Sequence, residues 1–194
     1  MTTPTPAPVR LFVLLARAAP VGVILRRGPT GWVQMILWDT KSDQFTPGQW
    51  FKGRIFEHKC DLSPDGKLVV YFAKKSGNSY KNPDYGDSWT AISKPPYFTA
   101  LALWTCYGVE RGGGLFSSNE TLCLNHHPAQ QPHPDHQPQG LQIIQDEDWY
   151  ADIPIWHERM SRDGWDALQT GKDLARGERR QPEAVGVASL GLLD

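Results

Sequence analysis

Apolar residues in this chain fall into short runs of strand length. Gly-, Pro-, Asp- or Ser-containing breaks separate them at roughly 8–12-residue spacing, the pattern of antiparallel strands joined by turns. Arg10–Ala16, Val21–Arg27 and Trp32–Asp39 are the first three runs, and Gly28-Pro29-Thr30-Gly31 joins the last two as a hairpin turn. A polar turn over Lys41–Gly48 follows, then strands over Gln49–Arg54 and Ile55–Leu62. Trp89–Ile92 is a short strand, Lys94-Pro95-Pro96 breaks it, and Tyr97–Trp104 resumes. Further along, Ile153–Met160 and Gly164–Gln169 flank Ser161-Arg162-Asp163 as a second candidate hairpin, and Ala184–Leu193 is a last edge strand. The fold class expected is all-β, with a core that includes Leu37, Phe56, Leu68, Val70, Phe72, Ile92, Leu101, Leu103 and Leu122.

The most specific stretch is Cys60 to Phe72, CDLSPDGKLVVYF. It reads as strand, tight turn, strand. In the turn, Pro64 presets φ, Asp65 bonds nearby backbone and Gly66 tolerates positive φ, with Asp61 and Ser63 completing the turn set. Leu68, Val69, Val70 and Tyr71 then suit a pleated, buried surface. A looser copy follows at Gly112–Leu124, where FSSNETLCL stands where LSPDGKLVV stood, without its Pro and Gly.

The SPDG turn between two strands, with Trp38-Asp39 ahead of it, resembles the blade repeat of WD-like β-propellers of the Tol-type translocation proteins and many bacterial proteins. The resemblance spans about residues 33–124. It implies blade-like antiparallel meanders, with Ile55–Trp104 as one four-stranded blade. A closed ring needs at least about four blades, and the chain supplies two or three, so the implied architecture is an incomplete propeller or propeller-like sheet assembly. The resemblance also implies that His58 and Asp61 belong to a structural hydrogen-bond network. Propellers are mostly binding platforms, so it names no catalytic residue.

Composition divides the chain. Residues 1–8 are a Pro/Thr-rich flexible lead, 9–124 the blade-like region, 125–140 a His/Pro/Gln-rich loop, 141–170 further strands of the same domain and 171–194 a tail. The loop holds His126, His127, His133, Asp135 and His136, a set able to ligate zinc in principle. A solvated linker is the default reading, because Pro flanks His133 and no Cys pairs fix a tetrahedron.

Two other groups carry possible chemistry. His58 and Cys60 share a face if Ile55–Leu62 is one strand, which would place a base beside a thiol. Trp32, Trp38, Trp50, Phe51, Trp89, Tyr97 and Trp104, interleaved with Lys52, Arg54 and Lys94, could form a stacking surface for nucleic acid, although such residues more often turn inward. Arg111-Gly112-Gly113-Gly114 lacks the Lys-Ser/Thr of a phosphate loop. Esterase, zinc-protease and paired-carboxylate signatures are absent.

The formal charge of −1 conceals +5 over residues 1–124 and −6 over 125–194. No Lys/Arg run exceeds two residues, so two solvated faces are preferred to a nucleic-acid site. Three cysteines without paired spacing fit a reducing compartment. Arg17 and Pro20 interrupt the apolar N-terminal run, and no membrane partner is expected. The function expected is a non-catalytic protein-binding or scaffold module of a bacterial-type cytoplasmic assembly. A metal-dependent hydrolase or metal-binding protein using the His-rich loop, and a nucleic-acid-binding module, are the alternatives.

Overall fold

The computed structural model describes residues 9–28, 31–75, 85–145 and 155–165. The N-terminal lead, residues 166–169 of the expected strand at 164–169, and the tail with its expected strand at 184–193 lie outside them. Among the described residues twelve strands form three sheets, none closed into a barrel. The first is a four-stranded antiparallel meander of β1 (Arg10–Leu15), β2 (Val21–Arg27), β3 (Trp32–Asp39) and β4 (Gln44–Lys52). The second has β7 (Val69–Lys74) and β8 (Ser88–Ser93) at its centre. β9 (Ala102–Cys106) lies beside β8, and the short β5 (Arg54–Ile55) and β6 (Asp61–Leu62) both pair with β7. The third joins β10 (Gly114–Phe116) and β11 (Thr121–Leu124) as an antiparallel hairpin, with β12 (Gln142–Ile144) parallel to β11.

Strand β7 explains the layering. Its first five residues are all buried, because both of its faces are covered. Val69, Tyr71 and Ala73 join the apolar core shared with the first sheet, which includes Leu14, Val23, Leu25, Val33 and Met35. Val70 belongs to the opposite core, with Ile92, Trp104, Phe116, Leu122 and Leu124. The second sheet is thus the middle layer of three. Val70→Ala should cost about 2 kcal/mol, and Leu101→Ala, at a side chain 46% exposed, within about 0.5 kcal/mol. Urea denaturation of both variants checks the pair, and equal losses would mean the core is wrongly assigned.

The turn at Ser63–Gly66 is built as its residues require. Ser63 Oγ donates to Asp65 Oδ1 at 2.8 Å, and the same oxygen accepts from Leu68 N at 3.0 Å. Gly66 takes φ 74° with its Cα against Val21, where a Cβ would lie 2.7 Å from that side chain. The turn is also a junction of the sheets. Pro64 O accepts from Ala18 N in the β1–β2 turn, and Asp65 N donates to Asn119 Oδ1 in the β10–β11 turn. The two sequence-similar turns, at 63–66 and 117–120, therefore touch.

Several expectations need correction. Ile155–Arg162 is a helix, α1, and not a strand. It ends in a Schellman arrangement: Gly164 has φ 82°, its N–H donates to Ser161 O, and Trp165 N donates to Met160 O. Its buried positions are Ile155 and Arg159, four apart, so a cationic side chain fills half of the inner stripe and masks the helical period. The strand expected over Ile55–Leu62 is broken by a 3-10 turn at Glu57–Lys59. Strand β4 begins at Gln44, within the expected polar turn, because an edge strand with few buried positions carries no apolar alternation. Leu101 precedes β9 and is exposed, while Leu37, Phe56 and Leu68 are only partly buried.

Candidate functional site

The His-rich segment does not form a strand, as its composition implies, but it is pinned to the second sheet. His133 N donates to Leu103 O at 2.7 Å and Leu103 N donates to His136 O at 3.1 Å, so the segment lies along the open edge of β9. His133 stacks on Tyr85 with ring centroids 4.5 Å apart, and His136 lies 5.5 Å from His133. Asp135 is turned outward, with its backbone N–H donating to His133 Nδ1. His127 is exposed and its Nδ1 accepts from Ala129 N.

His126 has different surroundings: it is 1% exposed, near the indole of Trp104. Its tautomer follows from its partners. Gln130 Nε2 donates to Thr105 O, which turns Oε1 toward His126 Nδ1 at 3.0 Å, so Nδ1 carries the proton. Thr90 Oγ1 accepts from Gly113 N and gives its own hydrogen to His126 Nε2 at 2.7 Å. Both nitrogens are engaged, and burial pushes the imidazole pKa down to about 4. Among the described residues no group of three or more His, Cys, Asp or Glu could hold a metal ion.

The shared face that one continuous strand would give His58 and Cys60 is not formed, because the 3-10 turn at Glu57–Lys59 removes strand alternation. His58 packs against Phe12 and Trp156, whereas Cys60 is fully buried with its thiol pushed up to about 12 by desolvation. Cys106 Sγ lies 3.6 Å from His126 Nδ1, and burial pushes this thiol to about 12 as well. Nδ1 holds a proton and the thiol keeps its own, so neither acts as base or nucleophile there.

Asp61 is architectural. Its carboxylate, 3% exposed, accepts a forked pair from Arg162, Nη1 at 2.7 Å and Nη2 at 3.1 Å, and a third bond from Phe116 N at 2.8 Å. Arg159 donates to Cys60 O and lies over the ring of Phe12. Together the two arginines fasten α1 across the second and third sheets and the start of the first.

The feature with clear capacity for recognition is the outer face of the first sheet. Cross-strand pairing places Leu15, Gly22, Trp38 and Phe45 in one row, and Val13, Ile24, Ile36 and Pro47 in the next. Leu11, Arg26, Gln34 and Trp50 form a third row, and Trp32 with Lys52 ends the face. Leu11 is 63% exposed, Leu15 59% and Phe45 52%. None of these residues belongs to either apolar core. Trp38 stacks on Phe45, Arg26 lies over Trp50, and Lys52 lies over Trp32. Trp38 Nε1 donates to Asp43 Oδ1 at 2.8 Å.

The aromatic set read from the sequence is therefore divided. Trp32, Trp38 and Trp50 face outward, Phe51 and Trp89 pack on the inner core, Trp104 is fully buried and Tyr97 is exposed in a loop. Leu11, Val13, Leu15 and Phe45 were not singled out by sequence reasoning. The signal was present: β1 reads RLFVLL, apolar at both parities, although only one of its faces meets the core.

No protein-family model, curated protein or solved structure matches the chain. No helix among the described residues is long and apolar enough to cross a membrane.

Proposed function

We propose that this chain is a non-catalytic protein-binding or scaffold module that docks its partner on the outer face of the first sheet. The observation that carries the reading is that face: three rows of side chains, apolar at ten of twelve positions, outside both cores. Contiguous apolar surface of this kind marks interaction sites in soluble proteins. Its aromatic content adds to this, since Trp, Phe and Arg are enriched at interface centres. The sequence resemblance of residues 33–124 to WD-like blade repeats is consistent with this reading, because propellers serve mainly as platforms.

The test is affinity capture by the full chain from lysate of its source cells, run beside Val13→Glu and Leu15→Glu variants with unchanged circular dichroism. The wild type should retain a stoichiometric protein that both variants lose by at least about ten-fold. Equal retention by all three would remove the face from the reading. Turnover in a hydrolase screen, with no retained protein, would reverse it.

A further inference from the structure

We infer that the outer face of the first sheet accepts an amphipathic helix from its protein partner, with carboxylates along one flank of the helix's apolar stripe. This rests on the docking-surface reading and names the kind of partner. An open sheet face is covered by a helix or a second sheet, and side-chain sizes here favour a helix. The middle row, Val13, Ile24, Ile36 and Pro47, is aliphatic and compact. Trp38 and Phe45 stand along one side of it, and Trp50 with Arg26 along the other. Rows two residues apart are about 6.8 Å apart, so the flanking rows are separated by roughly 14 Å. A helix with its side chains is about 10–12 Å across. Four strands span about 14 Å, the length of a helix of nine or ten residues.

Charge fixes the flank. Arg26 and Lys52 are the cations of the face, both lie toward its Trp50 end, and no carboxylate occupies an outward strand position. At the opposite end, Asp43 is engaged by the Trp38 indole. Among the strand positions of this face, positive charge therefore borders the middle row on one side only. Nucleic acid fits less well, because the aliphatic row offers it neither stacking nor hydrogen bonds.

The experiment uses the full chain and three fluorescein-labelled helical peptides of roughly 18 residues. They share one leucine stripe and carry Glu, Gln or Lys along one flank. Fluorescence anisotropy at low salt should show the Glu peptide binding at least about ten-fold tighter than the Lys peptide, with the gap closing as salt is raised. The double variant Arg26→Glu/Lys52→Glu should invert that order. Val13→Glu should weaken all three, and a proline in the middle of the Glu peptide should abolish its binding. Equal affinity for the three flanks, or an unaffected proline peptide, would overturn the acidic helix while leaving the docking face standing. Binding insensitive to both Val13→Glu and Leu15→Glu would overturn the face itself. Two other results would also overturn the inference: dimerisation through this face, seen by light scattering and lost in Val13→Glu, or displacement of the Glu peptide by a single-stranded oligonucleotide.

Discussion

Replacing Asp61 with Ala is expected to cost about 3–5 kcal/mol of folding stability, the range for breaking a buried ion pair from one side. The carboxylate accepts from both Arg162 terminal nitrogens and from Phe116 N. Its loss leaves a guanidinium that is 17% exposed without its main acceptor, and a buried backbone N–H without any. Helix α1 loses its forked attachment in the same step. Urea denaturation at neutral pH gives the number. In Asp61→Leu/Arg162→Leu both charges are gone, so much of the loss should be recovered. A loss below about 1 kcal/mol for Asp61→Ala would mean that the pair is solvated and α1 is held elsewhere.

Mild acid should act through His126. Its pKa is about 4 in the folded chain against 6.5 for a free imidazole, because burial opposes the charged form and both ring nitrogens are committed to a neutral tautomer. Between pH 6.5 and 4 the unfolded chain takes up a proton that the folded chain refuses. Stability is therefore fully present above 6.5 and falls as pH drops, levelling off below about 4. The shift corresponds to roughly 3 kcal/mol. His58, also lowered by burial, contributes with the same sign. Asp39, Asp65 and Asp87 have carboxyl groups lowered from 3.8, so their contributions are lost at more acid pH, outside most of this window. Denaturant midpoints measured from pH 7 to 4.5 should fall steadily in the wild type and much less in His126→Gln. Parallel profiles would show that another group controls the acid response.

The sheets were legible because their signals are local. CDLSPDGKLVVYF announces a turn through three residues with separate backbone roles, and a strand buried on both faces through an unbroken apolar run. The hairpins at 21–39 and 114–124 were visible for the same reason. Helix α1 was not, because Arg159 occupies a buried position where an amphipathic pattern would carry an apolar residue. Its burial depends on the carbonyl of Cys60 and the ring of Phe12, partners remote in sequence. His126 looked like its exposed neighbours because composition does not distinguish an imidazole held by Thr90, 36 residues away, from one in a linker. The outer face was half legible. The tryptophans drew notice, but only pairing register shows that Leu15, Trp38 and Phe45 share one row.

The segment along β9 bears on how copies of this protein avoid one another in concentrated solution. A terminal strand with a free edge is a template on which a neighbouring chain can grow. Here the edge is taken at Leu103, through its N–H and its carbonyl alike. The cover cannot pass the hazard outward, because Pro132, Pro134 and Pro138 have no N–H to offer a further strand, and the N–H of His133 is already spent inward. A composition that suggested idle spacer thus forms a terminator: it pairs once and leaves too few donors to propagate a sheet.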